Sequence, residues 1–186
     1  MALGWAAALH HGQQRESDGA PFIVHPLEVA ALLASAGFPE FVIVAGILHD
    51  AVENTGATPG QVQERCGEQV ASIVAALSED PTISDFAARK AALRAQVAAY
   101  GQHATAVYAA DKIAKTRELR AQAVRDTRIL APDNTRTTER LDHYRQSLTL
   151  LEQIQAEHPL VRQLRFELDM LDALRHRQTT PPDPGR

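Results

Sequence analysis

The chain has 186 residues, 45% of them hydrophobic and 23% charged, with a formal net charge of −4. Its length and composition fit one globular domain with a substantial core, and its acidic balance argues against general nucleic-acid binding, which calls for a basic excess. A single cysteine excludes an intramolecular disulfide and a thiolate-rich zinc site, and fits a reducing cytoplasm.

The opening MALGWAAALHHGQQR lacks the charged start and long apolar run of a secretory signal. No segment reaches the roughly 20 apolar residues of a bilayer span, so the expectation is a cytoplasmic protein with no membrane partner. Apolar residues recurring three and four apart predict helices almost throughout. The first covers residues 3–11 and leads into the polar loop QQRESDGAPF. Pro26 opens a second helix, PLEVAALLASA, which Gly37 ends. Pro39 starts a third that runs into GILHDAVENT, residues 46–55. Thr58 caps a short helix, with Gln61 three residues on completing a capping box; Cys66 in it is read as a small buried residue. GEQVASIVAALS continues as helix, followed by helices over residues 84–100, stopped by Gly101, and 104–119. Two long amphipathic helices over 139–157 and 159–177 close the fold. Their apolar faces pack either on the core or on a second copy, which leaves an oligomer open. No strand pair or internal repeat emerges. The fold class is all-α, with about eight to ten helices in one domain over residues 1–177, and QTTPPDPGR, 178–186, reads as a disordered tail.

Within GILHDAVENT an apolar helix suddenly carries His49, Asp50 and Glu53. Glu53 follows His49 by four residues and Asp50 by three, so an unbroken helix puts the three on one face. A solvated face accounts for that pattern, and so does a metal site. His25 in IVHP and Asp111 in YAADK are further imidazole and carboxylate donors, a set that suits Mn, Fe, Co, Ni or Zn better than Ca or Mg. Spacing alone does not select them, because seven other histidines besides His49 compete.

The ordered motifs HxGQxR, PxIxHPxxVA, LHDxxEx(T) and AD(K/R) do more. They fall on His10, Gly12, Gln13 and Arg15; on Pro21, Ile23, His25, Pro26, Val29 and Ala30; on Leu48 to Asp50, Glu53 and Thr55; and on Ala110 to Lys112. Over roughly residues 5–150 the chain resembles the HD-domain hydrolases of the RelA/SpoT type, including small stand-alone members similar to metazoan SpoT homologues. GEQVASIV also resembles a segment of that family, with Cys66 where phenylalanine is usual. The resemblance implies an HD-domain helical bundle in which His25, His49, Asp50 and Asp111 hold one divalent metal, usually Mn²⁺. It implies removal of pyrophosphate from the 3′ position of (p)ppGpp, a small-molecule nucleotide, by a metal-activated water. Glu53 would orient or deprotonate that water, or else accept the N–H of a ligand histidine. Arg15 corresponds to an arginine that lies against the base, Tyr144 to a tyrosine near the nucleotide, and Lys112 and Lys115 to positions near the phosphates.

Such a substrate is strongly anionic. From Asp111 to Arg128 six basic residues face three acids, a local excess of three positive charges that could steer a polyphosphate, or could simply form a solvated face of ion pairs. Four positions depart from the family pattern. Asn54 stands where the second acid of a Glu-Asp pair is usual; an amide positions a water but cannot take its proton. Lys115 replaces an amide, Tyr108 a lysine, and Glu16 a basic residue. The expected activity is hydrolysis without synthesis, since no synthetase segment fits in the remaining length. The alternatives are an HD phosphohydrolase for another nucleotide or phosphate ester, and a metal- or nucleotide-binding protein with little turnover.

Overall fold

A computed structural model describes residues 1–179, with side chains as far as His176. Ten α-helices follow one another: α1 Ala2–Leu9, α2 Val24–Ser35, α3 Glu40–Leu48, α4 Ala51–Asn54, α5 Pro59–Cys66, α6 Glu68–Leu77, α7 Phe86–Tyr100, α8 Gln102–Arg125, α9 Thr135–Gln155 and α10 Pro159–Thr179. A 3-10 turn, Thr127–Leu130, precedes α9. Among the described residues the extended pairing is a single bridge between Gln14 and Pro21. No described helix is long and apolar enough to cross a membrane. The fold is all-α.

Local chemistry explains the boundaries. Thr58 accepts from the Gln61 amide at 3.2 Å and the Gln61 side chain accepts from the Thr58 amide at 3.0 Å, the capping box expected at α5. Asp85 and Asn134 cap α7 and α9 through the amides of Ala88 and Thr137. Gly67 and Gly101, at φ 88° and 100°, turn the chain between α5 and α6 and between α7 and α8.

Helix α8 is the axis of the molecule, packing on α2, α3, α6, α7, α9 and α10. Its buried face is small, with Ala106, Ala109, Ala110 and Ala114 letting neighbours approach closely. It runs six residues beyond the expected end at Leu119. Ala123 is buried there and good helix formers such as Arg120, Gln122 and Arg125 sustain the turns although the apolar period has faded. Near its middle, Arg117 and Arg120 reach the buried Glu167 of α10 at 2.7 and 3.0 Å, and Arg117 also meets Glu28 of α2 at 3.1 Å. These arginines thus tie three helices together.

Helix α2 starts at Val24, so Pro26 lies inside its first turn, where its missing N–H costs nothing. Helix α10 continues to Thr179, and the remainder of the tail expected from 178 lies outside the described residues. Cys66 is half-buried, not buried.

Candidate metal centre

Helices α2 and α3 approach closely at Gly46, where a Cβ would lie 2.5 Å from Leu33 Cδ1 and 3.3 Å from Val29 Cγ1. That approach sets His25, in the first turn of α2, against His49 at the end of α3. The helix expected to run unbroken through residues 46–55 instead breaks at His49 and Asp50, where Asp50 adopts φ −91° and ψ −3°. Adjacent residues of a regular helix point about 100° apart. The break lets both side chains converge, so His49 Nε2 lies 3.2 Å from Asp50 Oδ2. Glu53 consequently sits on the separate single turn α4 and does not share one continuous helix face with them.

Asp111, from the middle of α8, closes the group. Its Oδ1 lies 3.1 Å from His25 Nε2 and 3.4 Å from His49 Nε2; the two Nε2 atoms are 3.3 Å apart, and His25 Nε2 is 3.4 Å from Asp50 Oδ2. All four residues are at most 5% exposed. Neighbouring ligands bound at about 2.1 Å in tetrahedral or octahedral arrangement stand about 3.0–3.4 Å apart, which is the spread found from each histidine nitrogen to the other three atoms. His25, His49 and Asp111 form the tighter set, all within 4.8 Å of one another. His49 Nδ1 donates to the Gly46 carbonyl at 2.8 Å, turning the lone pair of Nε2 toward the group. Asp50 Oδ2 and Asp111 Oδ1 are buried and meet hydrogen-bond geometry with no described group, although the Lys115 ammonium stands 2.9 Å from Asp111 Oδ1. Buried acceptors left this way call for a missing partner, and two imidazoles with two carboxylates neutralise and suit a divalent transition ion.

The electrostatics are those of a tightly coupled cluster. Burial opposes protonation of His49, but the Asp50 and Asp111 carboxylates overcome it and push His49 up to about 10. Burial pushes the Asp50 carboxyl up, yet the charges of His49 and Lys115 hold it below the usual range. Asp111 is likewise held well down, against burial, by Lys112 and Lys115. Lys112 Nζ lies 2.7 Å from Asp111 Oδ2, and Lys115 Nζ lies 2.9 Å from Oδ1.

A cleft of about 850 Å³ leads away from His25. Its walls include Arg15 and Phe22 from the first loop, Lys90 from α7, Lys112 and Lys115 from α8, and Tyr144 from α9. Of the expected substrate contacts, Lys115 is about a third exposed and faces this space. Lys112 is buried, its ammonium over the rings of Tyr108 and Tyr144 at 4.4 and 5.9 Å. Arg15 lines the cleft while engaging Asp18 through two hydrogen bonds, and Tyr144 forms part of the buried wall.

Glu53 and Asn54 are exposed and lie outside that wall. Glu53 Oε1 accepts the Glu79 amide. Desolvation, helped by the Asp50 and Glu79 charges, raises its pKa against that amide's pull. Tyr108, a departure expected to face the nucleotide, is instead 1% exposed, with its hydroxyl 2.8 Å from Ser147 Oγ. Of the basic stretch, only Lys112 and Lys115 face the cleft. Arg117 and Arg120 serve Glu167, Arg125 donates to the Ser17 carbonyl, and Arg128 pairs with Asp126. Lys90, His143 and Arg140 also line the cleft, and nothing in the sequence marks them. Their neighbours in sequence are ordinary helix residues, and only packing of α7 and α9 on α8 brings them there.

An all-α bundle with a buried His-His-Asp-Asp group beside a cationic cleft defines the class. The family pattern of the HD domain matches residues 2–158, and the chain belongs to this family. A guanosine-3′,5′-bis(diphosphate) 3′-pyrophosphohydrolase of Aquifex aeolicus (strain VF5) is 45% identical over 64 residues, which is 34% of this chain and 9% of that protein. A probable enzyme of the same name from Synechocystis sp. is 47% identical over 64 residues, 34% of this chain and 8% of that one. The matched stretch thus spans about a tenth of these curated relatives. The solved structure of a metazoan ortholog of SpoT that hydrolyzes ppGpp shares the fold, with a TM-score of 0.73 at 21% identity over 96% of this chain and 93% of that one. A crystal structure from Listeria monocytogenes EGD-e gives a TM-score of 0.71 at 27% identity, covering 82% of this chain and 98% of that chain.

Proposed function

We propose that this chain is a metal-dependent phosphohydrolase that removes pyrophosphate from the 3′ position of ppGpp and pppGpp in the cytoplasm. The observation that carries the reading is a group of four buried ligand atoms, in which each histidine nitrogen lies 3.1–3.4 Å from the other three, at the inner end of a cleft whose wall holds Lys90, Lys112 and Lys115. The names of the matched relatives support it. His25, His49, Asp50 and Asp111 hold the ion, and Mn²⁺ is the proposed metal. Bound there, a divalent ion supplies Lewis acidity and a water acidified toward neutral pH.

The chain's own residues do the rest. Lys112 fixes Asp111 from its second oxygen, so the carboxylate presents Oδ1 to the group. Glu53 takes the proton of the attacking water. Its raised pKa favours that transfer, and the Glu79 amide on Oε1 leaves Oε2 free to receive the proton. Attack at the phosphorus next to the ribose forms one P–O bond and breaks the bond to the 3′ oxygen, which takes up a proton from solvent as Glu53 gives its own back, leaving GDP or GTP and pyrophosphate. Lys115 offsets charge on the diphosphate, while Lys90 is paired with Glu79. Arg15 and Tyr144 bound the nucleoside end, and Asn54 orients water without accepting a proton.

One observation favours a second reading, turnover of a different nucleotide or phosphate ester. Lys115 stands where the family has an amide and contacts Asp111 directly, so this departure lies inside the site. The test is product release from Mn²⁺-loaded protein offered ppGpp beside a nucleotide panel, with Glu53→Gln and His49→Ala as controls. Pyrophosphate from ppGpp, lost in both variants, is the expected result. Metal-dependent turnover of another compound with none of ppGpp would establish the second reading instead. Metal binding without turnover of anything would leave a binding protein.

A further inference from the structure

Helix α4 has four residues, with the Asn54 amide on the Asp50 carbonyl at 2.9 Å and the Thr55 hydroxyl on the Ala51 carbonyl at 2.6 Å. A helical turn that short does not hold itself, so the placement of Glu53 and Asn54 is set from outside. Two contacts from other parts of the chain do this. The Glu79 amide holds the Glu53 carboxylate. The Gln13 side chain, 41 residues away in sequence, donates from Nε2 to the Asn54 carbonyl at 2.8 Å. That carbonyl ends the helix and has no partner within it.

Gln13 is itself held. Its Oε1 can only accept, so the 2.8 Å contact with His10 Nδ1 makes that ring nitrogen the donor. This fixes the amide with its NH₂ toward Asn54. The main chain of Gln13 is pinned as well, its N–H on the His10 carbonyl at 3.0 Å and its carbonyl accepting from Phe22 at 2.9 Å. His10 is 3% exposed and packs on the Phe22 ring, with centroids 4.7 Å apart, and Phe22 lies 5.9 Å from the His25 ring. One loop therefore contacts a ligand histidine by packing and the Glu53 turn by a hydrogen bond.

We propose that His10 and Gln13 form a positioning couple for the water-activating turn: His10 orients the Gln13 amide, and Gln13 clasps Asn54 so that Glu53 stays aimed. Neither touches reacting atoms; both act through Asn54. The proposal rests on Glu53 being the base of the reaction proposed above. Its physical part, the clasp, does not depend on the substrate.

The experiment pairs hydrogen exchange with kinetics on the full Mn²⁺-loaded chain. In Gln13→Leu, and in the isosteric Gln13→Glu that lacks the donor, amides of residues 51–57 should exchange about tenfold faster while those around His25 and Asp111 keep their rates. With ppGpp, kcat should fall about ten- to a hundredfold, the size of effect that a misplacement of about 1 Å produces, with KM and Mn²⁺ affinity unchanged. His10→Asn keeps a donor near the place of Nδ1 and should stay close to wild type, while His10→Leu should behave as Gln13→Leu does. Unchanged exchange at 51–57 in both Gln13 variants would overturn the proposal. So would losses spread evenly over the chain together with weakened metal binding, or equal effects of His10→Asn and His10→Leu. A wild-type protein inert toward ppGpp would refute the assigned substrate, and the exchange pattern would still decide the clasp.

Discussion

Acid should destabilise this protein through His143, and the size of the effect follows from its surroundings. The ring is 5% exposed, among Phe86, Tyr108 and Tyr144, and its Nδ1 accepts from Arg94 at 2.9 Å. Burial, with Lys112, Lys90 and Arg94 close by, lowers its pKa to about 2. In the unfolded chain a histidine titrates near 6.5. Below that pH the unfolded state binds a proton that the folded state refuses, so stability is complete above about pH 6.5 and is lost as the pH falls toward the folded value. At about 1.4 kcal/mol per pH unit, acidification from pH 7.5 to about pH 5 removes about 2 kcal/mol.

His143→Asn isolates this contribution, because asparagine keeps an acceptor for Arg94 and binds no proton. Urea unfolding with a chelator present, followed by circular dichroism at both pH values, gives the two stabilities. The wild type should lose about 2 kcal/mol more than the variant between them, whatever the variant costs at neutral pH. Contributions from Asp50, Asp111 and His49 are common to both proteins and cancel. Parallel losses in the two would refute the reasoning and mean that His143 takes up a proton without unfolding.

Lys115→Asn should bind Mn²⁺ about tenfold more tightly in the absence of substrate, since it removes a positive charge 2.9 Å from a ligand oxygen. Inorganic pyrophosphate should bind the loaded variant correspondingly less well, and calorimetry reads both; tighter binding of both, or of neither, counts against a lysine shared between metal and phosphate. Gly46→Ala gains helix propensity but drives a methyl group to within 2.5 Å of the buried Leu33 side chain. We expect a net loss of about 1–3 kcal/mol in urea unfolding together with weaker Mn²⁺ binding, because α2 and α3 carry the two histidines. A stabilised variant with unchanged metal affinity would show that this close approach does not set the site.

The proposed ligands were legible in the sequence because each lies in a short ordered motif of the family it resembles, and the cap at Thr58 because two side chains three positions apart state its chemistry. What stayed hidden depends on packing. Nothing in GILHDAVENT marks a break at His49, since every residue there tolerates helix; the turn yields because two adjacent side chains are drawn into one buried group. Tyr108 sits one helical turn before Lys112 on a helix buried on most sides, so its position in a motif did not reveal that it faces Ser147 and not the cleft. Lys90 and His143 belong to segments whose local pattern is an ordinary amphipathic helix, and they acquire meaning only where α7 and α9 meet α8.

The charge arrangement around Asp111 connects the departures to the choice of substrate. With two carboxylates, two neutral imidazoles and a divalent ion, the centre alone is neutral. Lys112 and Lys115 then leave two positive charges at its edge, and Lys90 adds another on the wall. Glu79 answers Lys90 directly, so the surplus lies on the two lysines of α8. A monoanion would leave that surplus uncompensated in a partly desolvated cleft, whereas a diphosphate neutralises it. Replacing an amide by Lys115 therefore shifts the site toward more highly charged phosphates without altering any ligand. We expect Lys115 to favour an anion of high charge, which agrees with the 3′-diphosphate proposed as the substrate.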